Sequence, residues 1–292
     1  QDNIQEFLTQ QSDTYKYIHD QSVRLFNNGY TPNEIAEEVT LPESLNTAFH
    51  NQGYYGTVKH NAKAVYQAYL GWYTANPAKL DPLPETQAAK RYIKMMGGVE
   101  SVLAQAQTAF DSAANGSVEE GTQTYRWLAE LLNHAVFAAP KNAQAKGLLA
   151  KVYDQLGYQA ESAPWRDVYL TGAYELRNGA PEEGIDMSIM EGVLLKTPVA
   201  NFLDSMAVRL NGPKAEGKKL DIKITFTDLN ESYLLSLNNS VLRHKKVAME
   251  TEADATLNLT QPLLVDIITA KAGLKETLFS DDLSVVGSKL DL

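Results

Sequence analysis

Between Gly53 and Asn61 the chain sets two phenols, an ammonium, an imidazole and a carboxamide into one short segment: Tyr54, Tyr55, Lys59, His60 and Asn61. Each can donate a hydrogen bond, and a bound anion needs several donors aimed at one point. Gly53 and Gly56 allow backbone to approach such a ligand closely. The same segment also reads as a tight turn with two half-buried tyrosines, with Asn61 capping the helix that follows. Both readings stand on the residues alone.

Other chemistry is thin. There is no cysteine, which removes disulfides, thiolate metal sites and cysteine nucleophiles. The five histidines, His19, His50, His60, His134 and His244, include no His-x-His or His-x-x-x-His pair, so no chelating set is predicted. No Gly-x-Ser-x-Gly elbow or phosphate loop occurs. Lys90, Arg91 and Lys94 read as a solvated helix face. His134 reads as a packing histidine, and Glu119-Glu120 and Asp281-Asp282 as acidic surface loops. Met187, Met190 and Met206 stand near Ile189, Leu194 and Phe202. Thioethers adapt to a flexible apolar ligand and also fill ordinary cores.

The elements that would position these residues change grammar along the chain. With 292 residues, two domains are expected. The first three-fifths read as successive helices. Phe7, Leu8, Tyr15, Ile18, Leu25 and Phe26 recur near helical spacing, closed by Gly29. Thr31-Pro32-Asn33-Glu34 is a capping box opening a short helix. Ala62, Val65, Tyr66, Tyr69, Leu70 and Tyr73 form another stripe, and a further helix stops at Gly97-Gly98. Asn115 to Thr124 reads as a polar loop. From Tyr125 to Arg177 paired helices joined by Pro140, with the second closed by Gly157, look TPR-like.

After Gly179, Pro181 and Gly184, Thr197-Pro198 is predicted to cap an amphipathic helix carrying Phe202, Leu203 and Met206. The period then becomes two. Leu220, Ile222, Ile224 and Phe226, then Tyr233, Leu235 and Leu237, then Leu257 and Leu259 each fall on one strand face. Asn238-Asn239-Ser240 reads as a hairpin turn, Thr260 as the cap of a helix bearing Leu264 and Ile268, and Leu283 to Val286 as a last strand. Consecutive antiparallel strands with helices on one side predict an α+β sandwich.

A net charge of −10 argues against nucleic acid or an anionic membrane as the main partner, and leaves room for a local basic pocket. No apolar run is long enough to span a bilayer. The chain opens at Gln1 with no basic and apolar leader, so a piece of a longer precursor is expected.

Several strings resemble the alkylsulfatase branch of the metallo-β-lactamase superfamily, of the linear primary-alkylsulfatase type. They are Asn28 to Ala36, Gly53-Tyr54-Tyr55-Gly56 with His60-Asn61, Tyr69-Leu70-Gly71-Trp72-Tyr73, Leu156 to Glu161, Trp165-Arg166, and Tyr169 to Ala173. The second half resembles, by pattern, the sterol-carrier-protein-2-like domain of those enzymes. The resemblance implies a helical dimerisation region with TPR-like pairs over 1–178 and a sterol-carrier-protein-2-like α+β domain over 184–292. It further implies a homodimer, an alkyl sulfate or other linear amphiphile as ligand, and a periplasmic or secreted parent protein. Zinc would lie in an N-terminal domain, because the family's His-x-His-x-Asp-His motif has no counterpart here. A final helix would follow Gly287. No catalytic or metal-binding residue is carried over, and the region is expected to be non-catalytic. Tyr54, Tyr55, His60 and Asn61 would contribute to a sulfate pocket. Met187, Met190, Phe202, Met206, Ile224, Phe226, Leu235 and Leu264 would line an apolar pocket for the alkyl chain. The alternative is a stand-alone carrier of apolar ligands or a helical scaffold for a protein partner.

Overall fold

The computed structural model describes residues 2–292 apart from 183, 185, 274–276, 278–282 and 288–292. Asp281 and Asp282 thus lie outside the described residues, as does the side chain of Met187. Contacts divide the chain into two compact units, Gln1–Pro181 and Glu182–Leu292.

The first unit is helical. α1 (Asp2–Asn27) buries Thr14, Ile18, Ser22 and Leu25, a stripe at three- and four-residue spacing. The hydroxyls of Thr14 and Ser22 donate to the Gln10 and Ile18 carbonyls one turn back, so neither is buried unpaired. Phe7, Leu8 and Tyr15, expected on the same face, stay exposed. Gly29, at φ 86°, ends the helix, and the Tyr30 N–H returns to the Leu25 carbonyl. At the start of α2 (Pro32–Glu38) the Glu34 carboxylate accepts from the Thr31 N–H and hydroxyl at 2.8 and 2.7 Å. α3 (Glu43–Asn46) is a single turn, followed by α4 (Val58–Leu70). Ile18, Leu25, Ile35, Val39, Ala62 and Tyr66 form a core between α1, α2 and α4.

α5 (Glu85–Met95) and α6 (Val99–Ala113) are joined by Gly97 and Gly98, both with left-handed φ. α7 (Val118–Ala138), α8 (Ala143–Gln159) and α9 (Ala163–Asn178) complete the unit. Its second core centres on Leu103, Leu128, Leu132, Leu149 and Val152. Two boundaries depart from the sequence reading. α7 begins at Val118 rather than Tyr125, because Ser117 accepts the Glu120 N–H at 3.3 Å and Glu119 and Glu120 favour a helix N-terminus. Gly157 does not close α8. It is buried within the helix, where a Cβ would stand 2.7 Å from Leu170 Cδ2, so its bareness lets α9 approach.

The second unit opens with a 3₁₀ turn at Met187–Met190, then α10 (Glu191–Leu194) and α11 (Val199–Ala207). The Thr197 hydroxyl does not cap α11; it turns back to donate to the Val193 carbonyl at 3.0 Å. β1 (Leu220–Phe226), β2 (Glu231–Asn238), β3 (Val241–Val247), β4 (Ala255–Leu259) and β5 (Ser284–Gly287) form one sheet in the order β3-β2-β1-β4-β5, with α12 (Gln261–Ile268) after β4. Ile222 faces Leu235 and Ile224 faces Tyr233 across β1 and β2, while Ile224 and Phe226 face Leu257 and Leu259 on β4. The predicted apolar side is thus shared. Val199 and Leu203 of α11 and Leu263 and Leu264 of α12 pack against it. One expectation fails: β4 runs parallel to β1. The chain leaves edge strand β3 and crosses behind the sheet, where Lys223 Nζ donates to the Met249 and Thr251 carbonyls at 2.7 and 2.8 Å.

Candidate functional site

The polar segment is held from two sides. The Tyr54 carbonyl accepts the Ala163 N–H at 2.9 Å, and the Tyr55 carbonyl accepts the hydroxyl of buried Ser162 at 2.6 Å. Both donors lie at the α8–α9 turn. Gly53 is closely packed: a Cβ would stand 3.2 Å from the Gly56 carbonyl and 3.3 Å from Glu161 Oε2, so a neighbour would have to give by a few tenths of an ångström. Thr57, not Asn61, caps α4, accepting the His60 N–H at 3.0 Å. His60 and Asn61 therefore sit on the first helical turn, both exposed. His60 Nδ1 accepts the Trp165 indole N–H at 3.1 Å, which leaves the Nε2 of the neutral ring as its proton carrier. Asn61 stands beside Gly56, its carboxamide 3.6 Å from where a Cβ would be. Tyr54 packs on Phe49 with ring centroids 5.1 Å apart.

Lys59 does not join this group. Its ammonium is 2.6 Å from Glu37, which Arg126 also reaches at 2.6 Å. Arg126 first, then Lys59, hold the Glu37 carboxyl down at about 2. This bridge links α2 and α4 to α7.

The histidines do not form a zinc site. His19 pairs with Asp20 and Tyr69, and His50 packs on Phe7. His60 engages Trp165, His134 packs on Tyr92, and His244 faces Asp204 at 2.8 Å. No group of three His, Asp or Glu suited to a metal ion occurs among the described residues.

In the second unit Ile224, Phe226 and Leu235 are buried on the inner sheet face, with Leu264 packed against them. Phe202 is buried on α11. Met190 and Met206 lie nearer the surface, 40% and 41% exposed. A cleft of about 310 Å³ opens at the margin of this core, lined by Leu195, Val199, Leu229, Glu231, Tyr233 and Gln261 among others. Val199 and Tyr233 belong to the core and to the cleft wall at once. The Tyr233 hydroxyl donates to Glu231 at 2.8 Å, and burial, then that carboxylate, push its phenol up to about 12.

Sequence reading missed Trp165, Ser162, Leu195 and Leu229. Trp165 lies within the Trp165-Arg166 string, but its partner is 105 residues away. Leu195 and Leu229 sit in connections, outside any periodic stripe.

The profile described as alkyl sulfatase dimerisation matches residues 31–179, and that described as alkyl sulfatase C-terminal matches 188–292. A linear primary-alkylsulfatase from Pseudomonas sp is 42% identical over 98% of this chain and 41% of its own length. An alkyl/aryl-sulfatase from Saccharomyces cerevisiae is 41% identical over 98% of the chain and 42% of its own. The solved structure of a stereoselective inverting sec-alkylsulfatase from Pseudomonas sp. superposes with a TM-score of 0.86 at 36% identity, covering 99% of this chain and 44% of that one. The chain thus spans about two fifths of the length of these relatives.

Proposed function

The chain belongs to the alkyl sulfatase family, with its dimerisation and C-terminal domains, and from that premise we propose that it pairs two copies and captures the alkyl chain of a sulfate ester whose hydrolysis occurs elsewhere in the full-length protein. The observation that carries the capture reading is the cleft beside the sheet. It is continuous with an apolar core through Val199 and Tyr233, and Leu195 and Leu229 flank its mouth. A linear hydrocarbon gains by burial against Leu195, Val199 and Leu229, while Lys196, Glu231 and Gln261 make the rest of the cleft polar. Taken by itself, the helical unit offers Tyr54, Tyr55, His60 and Asn61 as donors to a sulfate group, and among the described residues the His60 Nε2–H and Tyr55 hydroxyl have no partner of their own to compete. Zinc would be held outside this chain.

Pairing is supported by aromatic residues left in water. Phe49, Tyr55, Tyr69 and Trp72 are 78%, 82%, 60% and 70% exposed in the helical unit. Aromatic residues are enriched at interfaces, and a two-fold pairing is the commonest closed assembly. Light scattering at high micromolar concentration gives the mass of a dimer; a monomer mass contradicts the pairing. For capture, Leu229→Trp places a reporter at the cleft mouth. Its emission shifts to the blue on titration with dodecanol, and an unchanged spectrum at saturation contradicts the site.

A further inference from the structure

The chain is acidic as a whole, yet one end of its sheet is basic. Arg209, Lys214, Lys218, Lys219, Arg243 and Lys245 are all exposed. None of these six side chains has a hydrogen-bond or ion-pair partner among the described residues. Lys59 and Arg126 are engaged on Glu37, Arg177 on Asp154, Lys246 on Glu231 and Lys271 on Glu191, whereas other lysines such as Lys90, Lys94 and Lys151 are unpaired among the described residues as well, so what sets the six apart is that they gather at one end of the sheet.

The register brings the free cations together. Leu220 pairs with Leu237, and Leu237 with Leu242, so Lys219 stands beside the β2–β3 hairpin. Arg243 and Lys245 alternate with His244, which pairs with inner-face Leu235, and so occupy the outer face of the edge strand. A Cβ on Gly212 would stand 3.7 Å from the Ser240 carbonyl, which brings the α11–β1 connection, with Arg209 and Lys214, to the same end. Four acids among the described residues stand with them: Glu216, Asp221, Asp254, which accepts the Asp221 N–H at 2.8 Å, and Asp204, which pairs with His244. Val241, on the face of Arg243, and Val208 are 42% and 83% exposed. Lysine on an edge strand also deters strand pairing. That accounts for Arg243 and Lys245, but not for Lys214, Lys218, Lys219 or the two valines.

We propose that this end of the sheet docks on a packed layer of anionic amphiphiles. Cations would meet the headgroups, and Val208 and Val241 would enter the acyl boundary. Such a layer supplies dense negative charge with an apolar phase directly beneath. A nucleic acid supplies the charge alone and leaves the valines in water.

Co-sedimentation with sucrose-loaded vesicles tests this on the 292-residue chain. The chain should pellet with phosphatidylcholine vesicles containing a quarter phosphatidylglycerol, stay in solution with phosphatidylcholine alone, and be released by high salt. The double variant K218E/K219E should lower the partition coefficient by more than tenfold, since a basic residue near an anionic surface contributes roughly fivefold. Val241→Ser should weaken pelleting with unchanged thermal melting, and K90E/K94E, on the helical unit, should bind as the unaltered chain does. No pelleting with the anionic vesicles, an equal loss in K90E/K94E, or duplex DNA bound as tightly as the vesicles would overturn the proposal.

Discussion

Trp165 and His60, 105 residues apart, share a hydrogen bond of 3.1 Å in which the indole N–H donates to the imidazole Nδ1. An indole cannot accept, so the bond selects one tautomer of the neutral ring and turns the Nε2–H outward. Nitrogen-15 correlation spectra of the neutral chain should therefore show His60 as almost wholly Nε2-protonated. In Trp165→Phe the Nδ1-protonated form should appear alongside it. The bond is partly exposed, so the same variant should lose only about 0.5–1.5 kcal/mol of stability from it. An unchanged tautomer ratio contradicts the assignment.

Glu37 gives a pH signature. Arg126 and Lys59 depress its carboxyl in the folded chain to about 2 from an ordinary 4.5. A depressed carboxyl stabilises the fold above its unfolded value and loses that contribution as pH falls from about 4.5 toward 2. The three side chains are 40–48% exposed, so solvent screening reduces the effect to about 1 kcal/mol. Glu37→Gln should be less stable than the unaltered chain by that amount in urea at pH 7, with the difference shrinking at pH 3.

Two glycines of α8 should respond with opposite signs. Nothing lies within 4 Å of a Cβ on Gly147, so Gly147→Ala should stabilise by about 0.5–1 kcal/mol through helix propensity. At Gly157 a Cβ would meet Leu170 Cδ2 and Cγ at 2.7 and 2.8 Å. Overpacking of about 1–3 kcal/mol outweighs the propensity gain there, and Gly157→Ala should melt lower.

These glycines show what the sequence could and could not convey. Local signals were legible: the Thr31 capping box, the Gly29 stop, the Asn239-Ser240 turn, and the alternation that puts Ile222, Ile224 and Phe226 on one sheet face. Each depends on neighbours within a few residues. Gly157 read as a helix end because the reason for it, Leu170 on the next helix, is a tertiary contact. The polar first turn of α7 carries no apolar period, and so read as loop. The parallel pairing of β4 with β1 depends on a crossing behind the sheet that no alternation encodes. At the candidate site the polar side chains of the Gly53–Asn61 segment are plain in the sequence, but Lys59's diversion to Glu37 and Trp165's hold on His60 are not.

The hairpin turn offers a stabilising change. Asn239 and Ser240 both have left-handed φ, 50° and 60°, which an Asn-Gly pair accommodates better than Asn-Ser. Ser240→Gly should raise the melting temperature of the sheet unit, by about 0.5–1 kcal/mol in stability. A lowered melting temperature would contradict the turn geometry.

The central claim is that the sheet unit takes up a linear hydrocarbon, and calorimetry with a graded series of fatty alcohols below their aggregation limits tests it most directly. Each buried methylene is worth about 0.8 kcal/mol, so affinity should climb by about fourfold per carbon until the cleft is filled. Leu229→Asp should flatten that slope without unfolding the unit. Equal affinity across the series, or no binding at all, would show an ordinary closed core and contradict the account.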